Sequence, residues 1–208
     1  MLIKEACVES FNEALLAEKR GANRIELCSK LNLDGLTPNR KLIRKVISSI
    51  SIPLRVIIRP HGNNFIYSTN ELLRMEQDIN YCKSLGINGV VFGILNQNQM
   101  VDVLATERLV NIAFPLKVTF HKAIDEVSDI MTELEKLISI SGITSILSSG
   151  GHKTAIKGAD VIKSMIQKAK NHLSIIPAGG ITNQNIEEIH SLIGAREYHG
   201  RKIVGDLN

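Results

Sequence analysis

Apolar, β-branched runs alternate with amphipathic stretches from one end of this 208-residue chain to the other. Eight runs read as strands, at residues 2–8, 24–28, 54–59, 89–93, 116–121, 144–148, 174–178 and 195–199. Seven helical patterns lie between them, at 11–20, 40–49, 70–85, 103–112, 129–140, 155–170 and 184–192. Ser10 followed three residues later by Glu13 forms a capping-box signature, and Gly21, Gly86, Gly142 and Gly194 fall where helices should stop. Strict β–α alternation calls for a parallel sheet, because parallel neighbours need a crossover of a dozen or more residues. Eight such units is the number at which the sheet closes on itself. The expected fold is therefore an α/β, (β/α)8 TIM barrel forming a single domain over residues 1–208. An open doubly wound sheet is the alternative, but no Gly-x-Gly-x-x-Gly follows the first strand. Only Gly200-Arg-Lys-Ile-Val-Gly-Asp-Leu-Asn208 remains after the eighth strand, too little for the usual closing helix. A groove outside strands eight and one is thus expected, either covered by a partner subunit in a dimer or tetramer or left as an apolar stripe.

The first two strands repeat a motif: Glu5-Ala-Cys7 and Glu26-Leu-Cys28. In parallel neighbours the two-residue period points all four side chains to one face, which in a barrel is the interior. Charged groups taken out of water cost several kcal/mol unless paired or ligating, so such a lining implies a site or an internal ion-pair network. By the same parity Arg24 joins Glu26 and Cys28 on that face, Lys117, Thr119 and His121 share a face on the fifth strand, and Glu197 and His199 on the eighth. Cys82 differs. It falls at helical spacing with Leu72, Met75 and Ile79 and reads as plain core.

A net charge of +4 could suggest a nucleic-acid partner, but Lys and Arg are dispersed over the presumed helices and aromatics make up only 4%. No helix-turn-helix, zinc-finger or RNP signature accompanies them, so solvated helix faces are the expectation. No stretch approaches 18 uncharged apolar residues, and no signal-peptide pattern precedes Met1-Leu-Ile-Lys-Glu5. Three cysteines without a disulfide-framework spacing suit a reducing compartment, so the expected location is cytoplasmic, without membrane or nucleic acid.

Barrels keep their chemistry at the C-terminal strand ends. There the chain places Cys7, Glu9, Cys28, Arg59, His61, His121, Asp125, two glycine-rich turns and His199. One reading is an enzyme acting on a small anionic, phosphate- or carboxylate-bearing substrate. His121 would serve as acid or base, Glu26 or Glu5 would hold or relay a proton, and Arg59 would orient the anion by its fork. Backbone N–H groups of Ser149, Gly150, Gly151, Gly179 and Gly180 would complete an anion seat, although such turns also occur simply because the backbone needs glycine. His61, His152, His172 and His190 read as solvated. A third reading is a scaffold whose barrel supplies only an oligomerisation surface.

The order and spacing of Arg24-Ile-Glu-Leu-Cys-Ser29, Gly35-Leu-Thr-Pro38, Ile58-Arg-Pro60, Val118-Thr-Phe-His121 with Asp125, Ser149-Gly-Gly151 and Glu197-Tyr-His199 resemble the CutC family of copper-homeostasis proteins over nearly the whole chain. The resemblance implies a TIM barrel, a cytoplasmic location, a multimeric state and a link to copper. The chain departs from the family pattern at Arg59-Pro-His61-Gly-Asn63-Asn64-Phe65, where Arg-Pro-Arg-Gly-Gly-Asp-Phe is usual, and at His121-Lys122, where His-Arg is usual. From the residues themselves the copper candidates are Cys7 and Cys28. Neighbouring strands about 4.8 Å apart bring two inward thiols of similar height within reach of one ion, and soft thiolates favour Cu(I). The expected seat is a linear dithiolate.

Overall fold

The computed structural model describes residues 2–207. Eight parallel strands are separated by seven α-helices: β1 (Ile3–Val8), α1 (Phe11–Lys19), β2 (Arg24–Leu27), α2 (Arg40–Ile47), β3 (Leu54–Ile57), α3 (Thr69–Ser84), β4 (Gly89–Phe92), α4 (Val103–Ala113), β5 (Lys117–Phe120), α5 (Ile130–Ser139), β6 (Ile143–Ser148), α6 (Ala159–Ala169), β7 (Ser174–Pro177), α7 (Ile186–Ile193) and β8 (Glu197–Gly200). The sheet order is β7-β6-β5-β4-β3-β2-β1-β8, so β8 returns to pair with β1. This is a nearly closed (β/α)8 barrel. Along the remaining seam β7 lies beside β8, joined just above the strand ends by a bridge between Thr182 and Lys202.

Strand boundaries fall within two residues of those read from the sequence. Residues just past the ends keep the ladder going: Cys28, Ile58, His121 and Ala178 donate their N–H groups to Val8, Val91, Phe92 and Ser148 carbonyls at 2.8 to 2.9 Å. The Ser10–Glu13 capping box forms as expected and starts α1. The sixth helix differs, beginning at Ala159 rather than near 155. The chain there is held in a turn, with Ala155 N–H bonded to the Gly179 carbonyl and Gly158 packed so tightly on Ser149 and Gly150 that a Cβ would collide.

Alternation sorts the strands into two environments. Ala6, Val8, Ile25, Leu27, Leu54, Val56, Val90, Phe92, Val118, Phe120 and Tyr198 are buried outward against the helices, where Cys82 of α3 joins them. Their counterparts fill the interior, and much of that filling is charged. Glu5, fully buried, pairs with Arg24, lies 3.6 Å from Arg55 and accepts from His199 Nδ1 at 2.9 Å. Arg24 Nη2 reaches Glu197 at 2.6 Å, and Arg55 Nη1 donates to Thr119 and Ser145 hydroxyls at 2.7 and 3.1 Å. The internal ion-pair network is thus real, and it includes Arg24 but not Arg59.

The groove expected outside β8 and β1 is filled by the chain itself. Tyr198, which faces outward there, is fully buried, and its hydroxyl meets His190 Nδ1 and the Ala195 N–H, each at 3.0 Å. Residues after β8 cross this side with Ile203 and Leu207 buried, and Arg20 at the end of α1 donates to the Asp206 carbonyl. Among the described residues Tyr198, Ile203 and Leu207 thus cover this side from within the chain.

Removing the charge of Glu5 while keeping its shape leaves Arg24, Arg55 and His199 without their shared anion. Glu5→Gln is expected to lower unfolding free energy by about 3–5 kcal/mol, measured by urea denaturation at neutral pH. A loss below about 1 kcal/mol would mean that Arg24 and Arg55 do not depend on this carboxylate.

Candidate functional site

β1 and β2 pair with Glu5 opposite Arg24 and Cys7 opposite Glu26, so the two Glu-x-Cys motifs are offset rather than level. Cys28, just past β2, stands higher, with Sγ donating to the Val8 carbonyl at 3.3 Å. The two sulfurs nevertheless lie 3.8 Å apart, both buried and unbonded. β8 adds a third element. It pairs His199 with Glu5, and one donor atom each from Cys7, Glu26 and His199 lie within 4.8 Å of one another. His199 and Glu26 are the groups missing from the expected metal set, and the sequence expectation gives His199 no role. The signal for it is the barrel closure itself, which puts the inward face of the last strand beside the first.

Protonation states follow from this crowding. The hydrogen bond with Cys28 and burial push the Cys7 thiol well above its ordinary range. Burial also raises Glu26, against the pull of His199. For His199 burial works toward neutrality, but the charge of Glu26 and the bonds to Cys7 and Glu5 overcome it and raise the imidazolium well above the usual range. Burial alone would raise Glu5 too, yet His199 and the two arginines hold it far below the normal carboxylate range. A soft cation entering here would displace the thiol protons, and His199 could join it as a donor only by giving up its Nε2 proton as well. The donor chemistry fits such an ion. The spacing, however, is shorter than the ~4.6 Å spanned by two opposed metal–thiolate bonds of about 2.3 Å each. A nitrogen and an oxygen donor, from His199 and Glu26, lie close to Cys7.

Above this group a cavity of about 480 Å³ opens at the C-terminal strand ends. It brings together Cys7, Glu26, Arg59, His121, Gly179, Gly180 and His199; Cys28 and the Ser149–Gly151 turn are not part of its lining. His121, at the end of β5, uses Nδ1 to accept the Ala123 N–H at 3.2 Å, which places its proton on Nε2. Burial, helped by the charge of Arg59, lowers its pKa to about 3, so the ring is neutral. The close fit explains Gly93 at the end of β4, where a Cβ would stand 2.6 Å from that Nδ1. The expected roles shift accordingly. Neutral His121 is a hydrogen-bond donor, not an imidazolium acid. Arg59 does not offer its fork: Nη1 donates to the carbonyls of Leu33, Asp34 and Gly35 at 3.0 to 3.3 Å, and Nη2 to Gly62 at 3.3 Å. Glu26 stands with the thiols, 3.8 Å from Cys7 Sγ and 4.0 Å from His199 Nε2.

The glycine turn after β6 already holds an anion, supplied by the chain. Asp125 accepts from the N–H groups of Ser149 and Gly151 and from the Ser148 and Ser149 hydroxyls, while Gly150 N–H turns to Ser148 Oγ. Ser149, Gly150 and Gly151 thus secure the β5 and β6 loops to one another. Among the remaining histidines, His152 and His172 are exposed as expected. His61 and His190 are half-buried, His61 stacked on Tyr67 and 3.3 Å from Glu71, His190 bonded to Tyr198. No helix among the described residues is long and apolar enough to cross a membrane.

Residues 2–204 match the model of the CutC family. A copper homeostasis protein cutC homolog of Homo sapiens is 41% identical over 197 residues, covering 95% of this chain and 72% of the relative. A family protein CutC of Treponema denticola is 40% identical over 195 residues, covering 94% and 79%. The crystal structure of a CutC protein from Streptococcus agalactiae superimposes with a TM-score of 0.91 at 32% identity, over 98% of this chain and 100% of that one. A phosphonopyruvate hydrolase, at a TM-score of 0.66 and 14% identity, shares the barrel alone. Motif order, relatives and fold agree across nearly the full length, and the chain belongs to the CutC family.

Proposed function

We propose that this chain serves copper homeostasis by binding Cu(I) as cargo through the thiols of Cys7 and Cys28, with His199 and Glu26 as the neighbouring donors. The observation that carries the reading is the pair of buried, unbonded sulfurs 3.8 Å apart beside a nitrogen and an oxygen donor. Thiolate sulfur selects Cu(I) over harder ions, and imidazole is the next most suitable donor for copper. A reducing cytoplasm suits the proposal, since all three cysteines are free and oxidation of Cys7 and Cys28 would remove the seat. The ion-pair network below gives support of another kind: Glu5 anchors His199 Nδ1, leaving Nε2 turned toward Glu26. Such an outer partner fixes ring orientation in ligating histidines.

Anaerobic Cu(I) titration of the reduced protein against a competing chelator tests this. Stoichiometric uptake is expected, lost in the Cys7→Ala, Cys28→Ala double variant and weakened about 10–100-fold by His199→Ala if the ring helps to hold the ion. Uptake indifferent to both thiols would overturn the assignment.

His121 as an acid–base group is the weaker reading, because a ring held neutral down to about pH 3 takes up no second proton near neutrality. The consequence for stability is measurable. Unfolding returns His121 to its ordinary value of 6.5, so between about 3 and 6.5 the unfolded chain binds the extra proton. Stability is then lost as pH falls through that window, by up to about 1.4 kcal/mol per pH unit from this group. Urea denaturation at pH 6.5 and pH 5 should show a shallower slope for His121→Phe than for the parent chain. Parallel slopes would mean that the ring already exchanges protons in the folded state.

A further inference from the structure

Across the cavity from the thiols lies a set of groups that copper binding does not use. Arg59 and His121 both line the cavity, and they are only 4% and 5% exposed. The Nη groups of Arg59 donate to backbone carbonyls, the Tyr67 hydroxyl stands beside the guanidinium, and among the described residues no carboxylate pairs with it. Its Nε has no acceptor. Neither does His121 Nε2, which must carry the ring proton because Nδ1 is accepting. Buried donors are nearly always satisfied and buried charges nearly always paired, so two adjacent exceptions mark a place where a partner is missing. One ring touches both: Arg59 Cζ lies 4.6 Å from the Phe65 centroid, and the His121 ring lies 4.8 Å from it. An aromatic face is a weak stand-in for an oxygen acceptor.

We propose that the cavity binds a small organic monocarboxylate, its oxygens taking the N–H groups of Arg59 Nε and His121 Nε2 and its apolar body lying along Ile57, Leu147 and Ile181, with Phe65 turning aside to admit it. The donor count sets the class. Two unspent side-chain N–H groups and one guanidinium without a carboxylate partner match a monocarboxylate, whereas a phosphate dianion would also need the backbone N–H groups of the Gly179–Gly180 turn, which lines the same cavity. The other glycine turn, Ser149–Gly151, is filled by Asp125. Other cations at the mouth have counter-charges: Lys122 lies 3.8 Å from Asp125, Arg201 3.6 Å from Glu9 and Lys202 2.8 Å from Asp206. Of the acids lining the same space, Glu26 is buried with His199 beside it, while Asp34 and Glu126 are exposed at its mouth. The volume of about 480 Å³ lies in the range of small-molecule sites, and apolar walls with a few convergent polar groups are their usual construction. The proposal stands apart from copper, since neither Arg59 nor His121 belongs to the thiol group.

The test is calorimetric titration of the reduced, metal-free protein with benzoate, with benzamide and inorganic phosphate alongside, while the Nε2–H resonance of His121 is followed by nitrogen-15 NMR. Saturable benzoate binding is expected, at least tenfold tighter than either alternative, with a downfield move of the His121 signal on saturation. His121→Phe should bind at least tenfold more weakly, and Phe65→Ala, which clears the ring from both donors, should bind more tightly. Cys28→Ala should leave benzoate affinity unchanged, which separates this site from the copper seat. No saturable binding to either the parent chain or Phe65→Ala overturns the proposal, as does an unmoved His121 resonance. Benzamide or phosphate binding as well as benzoate overturns the carboxylate class. If His121→Phe does not fold, the NMR signal of the parent chain and the Phe65→Ala affinity decide.

Discussion

One carboxylate holds the barrel interior together. Glu5 is fully buried, and around it gather Arg24, Arg55 and His199, contributed by β2, β3 and β8. Cations so placed cost several kcal/mol each if left unpaired, and Glu5 is the one anion they share, with Glu197 a second partner for Arg24. The same contact orders the chemistry above. By binding His199 at Nδ1 it fixes the ring plane and directs Nε2 toward Glu26. The thiol group therefore rests on the ion-pair network as an upper storey rests on a lower one.

The two sides of the rim are built for different partners. On β1, β2 and β8 stand two sulfurs, an imidazole and a carboxyl, polarizable donors packed close enough to enclose one small ion. Just past β3 and β5 stand a guanidinium and a neutral imidazole, each with one N–H that lacks an acceptor. What separates them is mostly apolar, with Cys7, Cys28, Ile57 and Val91 forming one small interior cluster and Leu147, Ile176 and Ala178 another. Polar groups at the rim thus converge without neutralising one another, and an interior of this kind keeps water away from charges that are worth more in its absence.

Alternation of period two and helical periodicity expose strands and helices directly, which is why even the short strands such as Arg24–Leu27 and Ser174–Pro177 are legible in the residues. Facing is legible for the same reason: Ile25 and Leu27 meet the helices while Arg24 and Glu26 point inward. Register is not. The one-step offset that sets Cys7 against Glu26 depends on strand shear, and no residue spells it out. Nor is the destination of a long polar side chain. Arg59 could serve a ligand from its position at the end of β3, yet its fork goes to four carbonyls because the Leu33–Gly35 turn happens to lie within reach. Asp125 likewise fills the Ser149–Gly151 turn from a distance in sequence that hides the pairing. His199 could be found, but only once closure of β8 on β1 is assumed.

The seam between β7 and β8 gives the barrel a direction of compliance. Seven interfaces are laced by strand ladders, while at this one the chains meet through the Thr182–Lys202 bridge above the strand ends. The same stretch, from Gly179 to Thr182 and from Gly200 to Lys202, forms one wall of the cavity. Widening the cavity along that line breaks a single clasp, whereas widening it anywhere else tears a row of cooperative bonds. The barrel is in this sense a hoop with a split, and the split runs through the mouth of its own chamber.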